Sequence, residues 1–481
     1  MESTDERVSG GTPTGTGMPL RKPLPDPTRG ERRLARGPLL ASFTVSLESV
    51  TPILGGSTTL RKVDTVDVIR APTIRGHLRF WWRALYGHQC ATPRELAGRE
   101  RALWGGMGGD EGTRSPVEVL VSVDPLKPRI MDDSDIEQDA DGAYVLWIAR
   151  AQKSGETKPP AQRYRPGVRF LLTVRVPVQH QTEVENAVRA WILWGGYGSR
   201  TRRGLGSLTV TAEEARWLPA SATAAALRQH LPGVTLLGPV SAAPARDMPS
   251  LCGARLVHGS DSREAMRTWL KAVDWLRDFR QQQPPDARAK PQEAYAREWG
   301  APNRPGRSRW PEPDNVRLLL KPPHGKWAHD PREGKSAKVV WPRSSFGLPV
   351  TIRFQEKNRE RVPYIQLSPP TSEPEEVELR WEDDTKVRER LASPLIVKAM
   401  PLLGGRFVPI ALWLHRAWPR GNVVLVRKKK RSFPIPGSRA AFDAPVPRED
   451  AALYPPLVDS NVRDAFLSWL KKHPRGAKEM L

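Results

Sequence analysis

The segment Gly195-Gly196-Tyr197-Gly198-Ser199-Arg200-Thr201-Arg202-Arg203-Gly204-Leu205-Gly206-Ser207 has the composition of an anion cradle. Its five glycines permit positive φ angles and a close backbone approach to a ligand. Successive exposed N–H groups in such a loop form an anion-binding concavity. Arg200, Arg202 and Arg203 supply planar forks suited to phosphate, and Ser199, Thr201 and Ser207 supply hydroxyls. Tyr197 offers a ring on which a base can stack. The loop lacks the Gly-Lys-Ser/Thr ending of a nucleoside-triphosphate loop, so the chemistry it suggests is phosphodiester contact. The plainer alternative is a solvated basic turn.

A second basic set lies upstream. Pro72 and Thr73 mark a helix start, and Ile74, Leu78, Trp81 and Leu85 then fall on one face at helical spacing. Arg75, Arg79 and Arg83 run beside that face at spacings of four. Arg70, Arg75 and Arg79 sit at and just inside the helix N-terminus, where anions are favoured. Trp81 shares the apolar face and reads as core, while Trp82 is open to stacking. Arg79 and Arg83 have an alternative role, lying along the sheet or holding a partner subunit.

The residues give no catalytic set. The nine histidines are scattered, with no His-Glu-x-x-His. Cys90 and Cys252 are too few and too far apart for a disulfide framework or a cysteine zinc site. Gly108-Gly109-Asp110-Glu111-Gly112 superficially resembles a nucleotide-cyclase hairpin, but its flanks are not apolar strands, so it reads as a turn. No group of residues comes with the supporting set a site needs, so neither a metal nor a cofactor is expected.

The chain has 481 residues, with 76 Lys and Arg against 53 Asp and Glu, a net charge of +23. That balance points to a polyanionic partner, although a basic protein from a GC-rich genome would share it. The run Arg427-Lys428-Lys429-Lys430-Arg431 reads as a solvated turn. No apolar run long enough to span a membrane and no secretory signal is visible, so a soluble cytoplasmic protein without a membrane partner is expected.

The elements that must hold these residues follow from periodicity. Residues 1–37 read as a disordered tail. Phe43, Val45 and Leu47 alternate as a strand; so do Val117 to Val123 and Val168 to Val176. Arg94 to Trp104 reads as a short helix, and Tyr144 to Ala149 as a further strand. Thr182-Glu183-Val184-Glu185 has the capping-box spacing and opens a helix that ends at Gly195-Gly196; a strand at Leu208 to Val210 follows the loop. The order β-α-β-β-α-β over residues 38–215 is the ferredoxin-like arrangement, with one sheet face free to bind as in RNA-recognition modules.

In residues 216–481, strands are expected at Leu251 to Val257, Val350 to Phe354, Leu395 to Val397, Phe407 to Leu414 and Val423 to Val426. Helices are expected at Asp261 to Arg280, stopped by Pro284-Pro285, and at Val462 to Leu470. Residues 286–343, rich in Pro, Arg and Lys, read as a long insertion or mobile arm. The fold class expected is therefore α+β: two ferredoxin-like (RRM-like) βαββαβ domains, the second with a large Pro/Arg-rich insertion.

The segment Thr51-Pro52-Ile53-Leu54-Gly55-Gly56, then Ile69 to Arg83 with its Arg75-Gly76-x-Leu78-Arg79-x-Trp81-x-Arg83 pattern, then the loop Gly195 to Ser207 resemble the repeat-associated mysterious protein (RAMP) superfamily of CRISPR systems. Within it, the pattern is most similar to the family of first RAMP subunits of type III-B effector complexes. Phe346-Gly347-Leu348-Pro349 and Arg390 to Leu395 also look like that family's second half. The resemblance implies two ferredoxin-like domains and a place in an antiviral ribonucleoprotein, near the 3′ end of the guide RNA and the adjoining target RNA. It implies other RAMP subunits as neighbours. Carried over by position, the RNA-binding residues would be Arg70, Arg75, Arg79, Gly196, Gly198, Arg200, Arg202, Arg203 and Gly206. Some RAMP proteins cut RNA with a histidine or a loop aspartate; that resemblance would make His77, Asp64 and Asp67 the candidates, and an endoribonuclease acting on CRISPR or target RNA is the alternative to a non-catalytic subunit.

Overall fold

A computed structural model describes residues 39–480 apart from 109–110, 127, 132–141, 152–158, 239–246, 282–309, 323–324, 328–329, 355–372, 429, 455–456, 458–460 and 473–478. The tail 1–37, the stop at Pro284-Pro285 and the 286–309 part of the expected insertion lie outside the described residues. No described helix is long and apolar enough to cross a membrane.

The first half begins with β1 (Leu40–Ser49), β2 (Ile53–Leu54), α1 (Ala71–Tyr86) and α2 (Pro93–Trp104). The hairpin β3 (Gly106–Gly108) and β4 (Glu111–Thr113) is followed by β5 (Glu118–Val123), α3 (Ala143–Leu146) and β6 (Arg163–Tyr164). Then come β7 (Arg169–Pro177), α4 (Gln181–Trp194) and β8 (Leu208–Val210). The sheet order is β5-β7-β1-β8, every pair antiparallel. Phe43, Val45 and Leu47 stand opposite Val174, Leu172 and Phe170, and all six are buried in one core with α1 and α4.

The outward positions of this sheet carry Thr44, Ser46, Glu48, Arg169, Leu171, Thr173 and Arg175. Glu48 pairs with Arg169 at 2.6 Å and Glu118 with Arg175 at 3.6 Å. RNA-recognition sheets stack bases on aromatic rings; here Phe43 and Phe170 point inward, and the open face offers no such platform.

The second half continues with α5 (Glu214–Trp217), α6 (Ala224–His230), β9 (Ser250–His258) and α7 (Ala265–Gln281). Next are α8 (Glu312–Leu319), β10 (Val350–Ile352), β11 (Val377–Glu382), β12 (Val387–Arg388), β13 (Leu395–Leu402) and β14 (Arg406–His415). β15 (Asn422–Arg427), β16 (Lys430–Pro434), α9 (Val462–Lys472) and β17 (Glu479–Met480) complete it. The antiparallel order β13-β14-β9-β17 has the same connectivity as the first sheet once α8, β10–β12 and β15–β16 are set aside.

Both faces of this second sheet are buried. Leu256, Ile396, Met400, Ile410 and Leu412 join the core of α1 and α4. Val257, Leu395, Val397, Ala411 and Trp413 pack with α7 and α9. The continuous apolar runs at 395–397 and 407–414 therefore read as they do because each second side chain meets protein rather than water. The layers run first sheet, α1 and α4, second sheet, α7 and α9, in a mixed fold of helices and antiparallel sheets.

Two segments outside that strand order build a third sheet, β10-β11-β15-β16 with β12 beside β11. One lies between α7 and β13, the other between β14 and α9. The expectation of a mobile arm to residue 343 is corrected from Trp310 onward. Trp310 is buried against Phe279 with centroids 5.7 Å apart, and its Nε1 donates to the Arg280 carbonyl at 2.7 Å. Trp327 and Trp341 anchor the core of the third sheet. These tryptophans are too irregularly spaced to give a helix or strand period, so composition alone hid them.

Two further expectations change. Tyr144 to Ala149 is helical, α3 and then a 3-10 turn, entered through Gly142 at φ 75°. A short apolar run does not distinguish helix from strand by period. The α4 helix starts at Gln181 with no side-chain cap, and Glu185 binds Arg189 and Arg216 instead of closing a capping box.

Candidate nucleic-acid interface

The glycine-arginine loop threads between the two sheets and is braced from both sides. On the first-half side, Gly206 N donates to the Pro52 carbonyl at 2.8 Å and Ser199 N to the Leu54 carbonyl at 2.7 Å. The Thr51 hydroxyl donates to the Gly204 carbonyl at 2.6 Å and accepts from Ser207 N at 2.8 Å. On the second-half side, Trp269 Nε1 of α7 donates to the Arg203 carbonyl at 2.7 Å. Arg203 donates to the Leu395 carbonyl at 2.7 Å, and Arg202 donates to the Ser393 carbonyl.

The glycines bring protein close to protein. At Gly206, φ 62°, a Cβ would collide with the Tyr197 carbonyl; at Gly196 it would sit 2.7 Å from the Gly206 carbonyl. At Gly198, φ 90°, it would sit 2.9 Å from the Leu54 carbonyl. Tyr197 is 1% exposed and its hydroxyl accepts from Arg70 N at 2.9 Å, so it is a buried strut and the expected base-stacking ring is not presented.

Charge accounting separates the expected arginines. Arg70 is ion-paired with Asp64 and Arg79 with Glu100 at 2.8 Å, while Arg83 shares Glu100 at 2.5 Å. Arg202 and Arg203 bond through Nη1 to neutral carbonyls, which leave the charge in place. Arg202 also lies over the Phe80 ring at 5.6 Å. Burial lowers the pKa of Arg202 to about 10 and of Arg203 to about 9. Both remain cationic at neutral pH. Ser199 and Arg200 are exposed at the loop tip, with Arg200 left-handed at φ 59°. Arg75 is half-buried on α1.

The structure brings His77 to the loop but isolates it. Its ring lies 6.0 Å from Tyr197 and 6.1 Å from Trp191, and desolvation by burial lowers its pKa to about 4. It lines a cavity of about 240 Å³ with Phe80, Trp81, Thr201, Arg202 and Ile396. Asp64 Oδ1 accepts from Val66 N and Asp67 N, and Oδ2 meets Arg70. Backbone hydrogen bonds, Asp67 N first, and Arg70 hold Asp64 below its usual carboxylate range. Trp82 is buried and donates to Glu183 at 2.9 Å, so neither tryptophan of α1 faces a base. Among the described residues, no three His, Cys, Asp or Glu converge as metal ligands.

The comparison with known families concerns this same stretch. Residues 46–209, from within β1 into β8, match the model of the RAMP superfamily. This stretch is similar to a RAMP domain. It contains both α1 and the loop. The chain is 28% identical over 169 residues to the CRISPR system Cmr subunit Cmr1-1 of Pyrococcus furiosus, covering 34% of this chain and 46% of that relative. The chain thus spans under half the length of the curated relative it matches. The structure of apo Cmr1 from Pyrococcus furiosus is similar at TM-score 0.42 and 15% identity, over 91% of this chain and 97% of that one. A chain of the type III-B Cmr-beta complex bound to cognate target RNA is similar at TM-score 0.38 and 11% identity, over 78% and 94%.

Sequence reasoning located the RAMP loop and missed its supports. Thr51 stands in a quoted motif, but its bonds to the loop are not legible there, and no local spacing announces the contacts of Trp269 and Glu100.

Proposed function

We propose that this chain is a non-catalytic RNA-binding subunit of a type III-B CRISPR ribonucleoprotein, acting in antiviral defence in the cytoplasm beside other RAMP subunits. Its guide RNA and target RNA would run along the seam between two ferredoxin-like units, 38–215 and 216–481, near the 3′ end of the guide. The observation that carries this reading is the loop: Arg200, Arg202 and Arg203 gather three positive charges at the seam, and the side chains of Arg202 and Arg203 meet carbonyls rather than carboxylates. Such a surface attracts phosphodiesters. The proposed RNA-facing set is Arg75, Arg200, Arg202 and Arg203, with Gly196, Gly198 and Gly206 shaping the loop. Arg70 and Arg79 would reach RNA only on leaving Asp64 and Glu100.

The test is RNA binding by the full chain across a salt series. Arg200→Ala, at an exposed loop tip, should weaken binding and lower the slope of log affinity against log salt by about one. An unchanged slope and affinity would sink the reading. Incubation with labelled RNA, with Mg²⁺ and with chelator, tests the non-catalytic part; cleavage in either condition overturns it.

A further inference from the structure

A second cationic site lies next to the loop; its two arginines fall outside the motif segments, which supply part of its lining. Arg280, in the last turn of α7, and Arg343, in the 3-10 turn before β10, line a pocket of about 330 Å³ with Gly347, Thr351 and Ser393. The Ser393 carbonyl is the one Arg202 binds, so the pocket adjoins the loop. Arg280 Nη1 donates to the Tyr144 hydroxyl at 3.0 Å, and its guanidinium lies 5.5 Å from the centre of the Phe346 ring. Arg343 uses its backbone N–H, not its side chain, to reach Glu312 at 2.6 Å.

The charges here are poorly compensated. The Nε atoms of Arg280 and Arg343 are buried with no hydrogen-bond partner among the described residues. Arg280 acts electrostatically on Arg343, Arg203 and Arg200, so four guanidiniums share one region. The carboxylate facing them, Glu312, is fully buried, and desolvation raises its pKa to about 7. Proteins rarely gather buried guanidiniums without an anion to pair them, and the forks of arginine match phosphate oxygens.

We propose that the Arg280–Arg343 pocket binds a phosphate group. This deepens the RNA-binding reading and rests on it for the RNA source, since the group is either a phosphate of bound RNA or one carried by a free small anion. Two experiments separate these sources. The first measures binding of a labelled single-stranded RNA by the full chain and its Arg343→Met and Arg343→Lys variants across a KCl series. Arg343→Met should weaken binding at least fivefold and lower the log–log salt slope by about one. Arg343→Lys, which keeps the charge without the fork, should retain the slope and lose less affinity. The second follows thermal melting of the wild-type chain and of Arg343→Lys in sodium phosphate against sodium chloride of equal ionic strength. Stabilisation by phosphate that Arg343→Lys reduces assigns the pocket to free phosphate groups; a response in the RNA series alone assigns it to RNA. If Arg200→Ala weakens RNA binding while both Arg343 variants bind as wild type and phosphate leaves melting unmoved, the pocket proposal falls and the RNA-binding reading stands. If Arg200→Ala is also silent, both fall.

Discussion

Lys398, in the middle of β13, donates from Nζ to the carbonyl of Gly195 at 2.8 Å. The same ammonium reaches the Ile192 carbonyl at 3.1 Å, so a second-half strand caps the C-terminus of α4 where the RAMP loop begins. Lys398 is 0% exposed. A cation is favoured at a helix C-terminus, yet burial still lowers its pKa to about 7.

That shift gives a pH signature. The unfolded lysine titrates near 10.4, so between about pH 7 and about pH 10 the unfolded chain binds more protons than the folded one. Stability should rise with pH across that window. Lys398→Met removes the titrating group, so the difference in stability between wild type and variant should move in favour of the wild type as pH rises from 7 to 9.5. Urea unfolding at several pH values measures it; a difference independent of pH would contradict the buried, depressed lysine.

Glu312 predicts the opposite slope. Its folded pKa of about 7 lies above the ordinary glutamate value, so the folded chain holds the proton longer. Stability from this group is full below about pH 4 and declines as pH rises toward 7. Glu312→Gln keeps an acceptor for Arg343 N–H and removes the charge. The variant should gain on the wild type as pH rises from 5 to 7.5, read by the same unfolding measurement.

Arg79 and Arg83 share one nearly buried carboxylate, Glu100. Removing either arginine leaves the other in place, so Arg79→Ala and Arg83→Ala should each cost about 1 kcal/mol or less. The double variant strands Glu100 and should cost about 3 kcal/mol, more than the sum. Additive losses in a double-mutant cycle would show that the two pairs act independently.

Gly206 and Gly76 should respond in opposite directions to alanine. At Gly206 the new Cβ meets the Tyr197 carbonyl and the backbone is left-handed, so Gly206→Ala should destabilise by at least about 2 kcal/mol. At Gly76, exposed in α1 with open space around it, alanine should stabilise by about 0.5–1 kcal/mol. Equilibrium denaturation of both variants checks the pair.

The sequence by itself determined the amphipathic stripe of α1 and the alternation of β1 and β7. Ile74, Leu78, Trp81 and Leu85 are all buried as their spacing requires. Periodicity reports which side of an element meets water, and that is set locally. The five loop glycines were equally visible, because only unusual φ angles or close approach call for so many in so short a stretch.

What approaches those glycines was decided by the tertiary structure. Tyr197 turned inward because Arg70 N–H and the α1 surface close over it. Arg70, Arg79, Arg202 and Arg203 look alike in sequence, but two meet carboxylates and two meet carbonyls contributed by distant segments. The third sheet and the Arg280–Arg343 pocket are likewise assembled from stretches separated by whole elements. A side chain's charge is written in the sequence; whether that charge is cancelled depends on a partner brought near only by folding.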